Sequence, residues 1–165
     1  MNADGTMTAI IEAVERGRSG AADEARDRLE GIWKSLGPQG DSLHRCSLAH
    51  YLADLYDDPA LALTWDLRAL DAADSRTDGR AKRFHAELDV AGFFPSLHLN
   101  LADDYRRLSS FDTARDHLAA ARTNLHLLPD NEYGTQIRTA LEEVAEAIDR
   151  GDTAPRASAP TGRPA

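Results

Sequence analysis

Cys46, His50 and Asp54 follow one another at intervals of four, so a helix running through them sets a thiol, an imidazole and a carboxylate on one face. All three are metal-ligating types, and zinc favours sulfur and imidazole. His44 or His98 would be a further ligand. The same face offers a second chemistry, Cys46 as a nucleophile with His50 as its base. No Gly-rich loop, oxyanion-hole signature or nucleophile motif accompanies these residues. No catalytic residue, metal or cofactor is therefore assigned, and Cys46, His50 and Asp54 stand as candidate ligands. Two longer polar stripes keep the helical period. Ser47, His50, Asp54 and Asp57 form one, and Ser96, Asn100, Asp103 and Arg107 form the other. Such stripes are either solvated helix faces or the walls of a binding surface. His98 differs, because it falls on an apolar face with Leu101, Ala102 and Tyr105, where a half-buried imidazole needs a hydrogen-bond partner.

The elements that must position these residues are helical. Apolar residues recur at three and four throughout, and strand-like alternation is absent. The spacing predicts helices over about 7–16, 21–36 and 42–56, a fourth opening at Pro59, a fifth from Pro95 to about Leu108, a sixth to Leu128 and a seventh ending at Gly151. Gly37-Pro38 should stop the second helix, and Gly17 the first. Asp58 and Asp112 are the expected caps of the fourth and sixth helices. Leu63, Leu67, Leu70 and Ala73 should carry the fourth helix into the core. Trp33 and Trp65 should be core residues. A basic inserted segment, 75–92, holds Arg76, Arg80, Lys82, Arg83 and His85 and keeps a helical spacing. Residues 151–165 lack large apolar side chains and are expected to form a disordered tail behind a single domain spanning 1–150.

The chain has 165 residues, 42% of them apolar, which suffices for a real core. Its net charge of −9 argues against nucleic acid and anionic membrane as partners. The single cysteine allows no intrachain disulfide. Without a visible secretory signal or a long apolar run, a cytoplasmic protein is expected.

Tyr51-Leu52-Ala53-Asp54-Leu55-Tyr56 matches Asn100-Leu101-Ala102-Asp103-Asp104-Tyr105, and each precedes a turn and an Ala-rich helix. In the later copy Leu101, Ala102, Tyr105, Phe111, Ala114, Leu118 and Ala121 succeed one another, with His98 where Trp is frequent. This pattern resembles the tetratricopeptide repeat. Leu52 and Leu101 are 49 residues apart against the family's 34, a difference met by a three-residue deletion and an 18-residue insertion at the basic segment. Asp66 stands where the family has a large apolar residue.

The resemblance implies an all-α fold: antiparallel helix pairs stacked as a short right-handed superhelix with a terminal capping helix. It also implies a concave groove lined by Ser47, His50, Asp54, Asp57, Ser96, Asn100, Asp103 and Arg107, joined by Asp58 and Arg106. Asn100 stands where some family members grip a peptide's terminal carboxylate, although Asp54 would repel one. The favoured function is a protein- or peptide-interaction module, a scaffold or adaptor whose partner carries basic residues. Homodimerisation is possible. The alternative is a small enzyme or metal-binding protein with a site around His50, Asp54 and His98.

Overall fold

A computed structural model describes residues 4–77 and 92–159. The basic segment expected at 75–92 lies almost wholly outside the described residues. Those described are all-helical, with no strand among them. They fall into two compact units divided between residues 80 and 81.

The first unit contains α1 (Gly5–Arg18), α2 (Ala22–Leu36), α3 (Ser42–Ala53) and α4 (Pro59–Thr77). Asp4 opens α1 by accepting the Met7 amide at 3.0 Å, and Asp41 opens α3 through the amides of Leu43 and His44. Asp58 accepts the Ala60 amide at 2.8 Å, which supports it as the cap of α4. Gly37 ends α2, as expected, with φ +62° and ψ −176°, a backbone region open essentially to glycine alone.

Gly17 does not end α1. The helix passes through it, and a Cβ at that position would sit 3.2 Å from both Ala25 and Leu55. Gly17 is a point of close helix approach, and Gly20, with φ +100°, makes the turn. The third helix ends at Ala53 rather than Tyr56. Arg26 takes the Leu55 carbonyl at 3.1 Å and Tyr56 donates to Glu30 at 2.5 Å, so α2 holds the chain in a turn there.

The helix packs against α1, α2 and α4. As the central helix of its unit it is buried nearly all round, from Cys46 through His50 and again at Leu52 and Ala53. Its partner α4 buries a stripe of small residues, Ala62, Ala69, Ala72 and Ala73, together with Trp65 and Asp66. Leu67, expected in the core, is 41% exposed. Small side chains on both helices permit a close approach, and that contact, rather than leucine size, selects which face turns inward. Trp65 is buried and Trp33 half-buried, with their rings edge to face at 5.3 Å.

The second unit contains α5 (Phe94–Arg107), α6 (Phe111–Thr123), a 3-10 turn (Leu125–Leu127) and α7 (Glu132–Asp149). Pro95 lies in the first turn of α5. Leu99, Ala102, Ala114, Leu118, Ala121, Ala140, Leu141, Val144 and Ile148 make one core. The repeat-like positions Ala102, Ala114, Leu118 and Ala121 thus meet one another. Asp112 does not cap α6, since Ser110 occupies the cap position and Asp112 pairs with Arg115 at 3.0 Å inside the first turn. The sixth helix also stops at Thr123, with the shorter turn carrying the chain on to a buried Leu128.

Helices α5 and α7 end in the same way. Ser110 donates to the Tyr105 carbonyl and Ser109 to that of Arg106, as Asp152 does to Ala147 and Gly151 to Ile148. The left-handed position is Gly151 (φ +63°) after α7 but Ser109 (φ +64°) after α5.

Candidate functional site

The turn at Gly151 decides where the following chain goes. The composition predicts a disordered tail from 151, but residues 152–158 are held across α5 and α7. Their anchor is Arg106, fully buried on the same helical stripe as Leu99 and Ala102. Its Nη1 donates to the Asp152 carbonyl at 2.5 Å and its Nη2 to the Ala154 carbonyl at 2.9 Å. The same guanidinium grips Asp103 through Nε at 2.9 Å and Nη2 at 2.5 Å. Asp103 in turn accepts Nε of Arg156 at 3.3 Å. Ser158 then donates its hydroxyl to Glu143 of α7. The segment itself bends at Asp152, whose carboxylate accepts the Ala154 amide at 2.8 Å.

The segment is held at two levels, through its main chain and through its side chains. A buried guanidinium reads two main-chain carbonyls, which any residue supplies. A carboxylate and a second acid then select an arginine and a hydroxyl along the segment. The Arg156 side chain is only 9% exposed, so its pairing with Asp103 is largely desolvated. Composition misjudges this tail because it looks for apolar surface to bury, whereas the segment docks through carbonyls and charge. Residues 160–165 lie outside the described residues.

A second polar cluster joins α5 to α6. His98 and His117 bring their Nδ1 atoms within 3.0 Å, so one ring must carry its proton there and the other accept it. Tyr105 lies parallel to His117 at 5.4 Å between ring centres. Burial, and then the neighbouring His117, hold His98 below the ordinary histidine pKa. Burial does the same to His117, against an upward pull from Asp116. The partner required for His98 is therefore His117, which sequence reading missed. Its place three residues after Ala114, beside Leu118 on the inward face, was the available signal.

The residues expected to line a groove are divided between the units. In the first, Ser47 is buried and His50 is 8% exposed, its Nδ1 3.4 Å from Oδ1 of Asp66, which is 1% exposed. The imidazole therefore faces α4. Cys46 is fully buried. Asp54 is half-buried just past the end of α3, Asp57 is exposed, and Asp58 caps α4. His44 pairs with Asp4 at 2.6 Å, and that contact, after the Met7 amide, draws the Asp4 carboxyl below its usual range. In the second unit Ser96 is buried and donates to the Phe93 carbonyl at 3.0 Å, while Asn100 and Arg107 are half-buried.

Of the second set, Asp103 meets the docked tail. The residue beside it in that role is Arg106. Of the alternative site, His50 and Asp54 belong to the first unit and His98 to the second. Among the described residues no three His, Cys, Asp or Glu side chains converge as a metal site, and no helix is long and apolar enough to cross a membrane. Comparison with protein-family models, curated proteins and solved structures finds no match.

Proposed function

We propose that the chain is a non-enzymatic interaction module, built of tetratricopeptide-like helical hairpins, that binds an extended arginine-bearing segment of a protein partner across α5 and α7. The observation that carries this reading is the docking of residues 152–158. Arg106 donates to the carbonyls of any backbone presented in that register, and Asp103 with Glu143 supplies the side-chain preference. A partner segment with carbonyls, an arginine and a hydroxyl at the same intervals would make the same contacts. Basic character in the partner also agrees with a net charge of −9. The chain's own tail would then be the resident occupant, which a partner displaces.

A fluorescent peptide of residues 151–159, titrated into the full chain carrying Arg156→Ala, tests the reading. The weakened internal tail should yield, giving saturable binding that disappears when Asp103→Asn is added. Absence of binding to the Arg156→Ala chain, or binding indifferent to Asp103→Asn, would defeat the assignment.

A further inference from the structure

We propose that Arg45 and Arg68, stacked on Trp33 and Trp65, form a carboxylate site for an acidic peptide segment of a partner. The cluster lies within the first unit and stands independently of the tail site. Trp33 comes from α2, Arg45 from α3, and Trp65 and Arg68 from α4. The Arg45 guanidinium carbon lies 4.2 Å from the Trp33 ring centre. That of Arg68 lies 4.3 Å from Trp65 and 5.9 Å from Trp33. The two charges are thus within about 10 Å of each other, close enough to act on one acidic segment.

Stacking occupies the face of a guanidinium and leaves the donors at its rim. Arg45 uses one of these on the Gly37 carbonyl. Both groups are therefore oriented before a ligand arrives, which lowers the cost of ordering them. Their surroundings differ from those of eight arginines among the described residues, Arg16, Arg28, Arg106, Arg122 and Arg156 among them, which sit on carboxylates. Among the described residues no carboxylate pairs with Arg45 or Arg68, although the chain has 28 acids to 19 Lys and Arg.

A peptide fits better than a free anion because Leu61, 47% exposed, lies two turns before Arg68 on the same stripe of α4. An acidic segment can pair with the guanidiniums and rest an apolar side chain on Leu61.

The chain's two tryptophans are both in the cluster, so intrinsic emission reports directly on it. The full chain is titrated with hexaglutamate and, separately, with inorganic phosphate at constant ionic strength. The peptide should change the emission saturably. Its Kd should rise about tenfold or more in Arg68→Gln and in Arg45→Gln, with partial recovery in Arg68→Lys, which keeps charge but loses the planar fork. Circular dichroism confirms that each variant is folded, and Arg68, at an exposed position, supplies the cleanest comparison. An unresponsive emission, an unchanged Kd in Arg68→Gln, or saturation by phosphate alone would overturn the assignment.

Discussion

Replacing Arg106 by methionine keeps most of the side-chain volume and removes every donor. The wild-type guanidinium is fully buried and bonded to Asp103, to the Asp152 carbonyl and to the Ala154 carbonyl. Removing one member of a buried charge pair generally costs about 3–5 kcal/mol, because the partner is left buried and uncompensated. Here part of that cost is recoverable. Residues 153–155 are exposed, so the tail can lift and let water reach both carbonyls and Asp103. Arg156 also still faces Asp103. The net loss should settle near the lower limit, about 3 kcal/mol, most of it the lost docking of the tail. For a unit of this size that lowers Tm by more than about 10 °C, readable by circular dichroism or calorimetry. Arg106→Lys should restore only a small part, since an ammonium cannot serve Asp103 and two carbonyls in the same planar arrangement. A methionine variant within about 0.5 kcal/mol of wild type would refute the anchoring role, because that is the range of an uninvolved surface position.

Acid should weaken the second unit through the His98–His117 pair. Both folded pKa values lie below the ordinary value of 6.5, so the unfolded chain binds protons first. The pair's contribution is intact above about pH 6.5, falls as pH drops below it and levels off below the lowered folded values, and His117→Gln should flatten that slope in urea titrations. Ala102→Leu should cost about 1–3 kcal/mol, because the methyl is fully buried in the core with Ala114 and Ala121; an unchanged urea midpoint would contradict the close packing of α5 on α6. Ser109→Gly should stabilise the fold by about 0.5–1 kcal/mol, since a non-glycine residue there holds φ +64°, and a lower Tm would show that the serine is needed for another reason.

Periodicity locates the helices and the part of the second unit's core made by Ala102, Ala114, Leu118 and Ala121, which follow a plain amphipathic pattern. It fails wherever a polar residue occupies an inward position. Asp66 lies among Ala62, Trp65 and Ala69 on a buried stripe, yet a carboxylate in sequence reads as surface, so the periodicity points to Leu67 instead. Arg106 and His117 misled in the same way. Each lies on the inward face of its helix, and only their partners, Asp103 with two tail carbonyls and His98, explain how burial is tolerated. The tail was illegible for a different reason. Its contacts join residues 103–106 to 152–156, and no local pattern records a backbone carbonyl's distant donor.

The docked tail is most directly tested by backbone nitrogen-15 relaxation on the full chain. If Arg106, Asp103 and Glu143 hold the segment, then Ala154, Arg156 and Ser158 should show order parameters of about 0.8, close to those of α7. Values below about 0.6 from Asp152 onward would contradict the account and remove the observation on which the peptide-binding function rests.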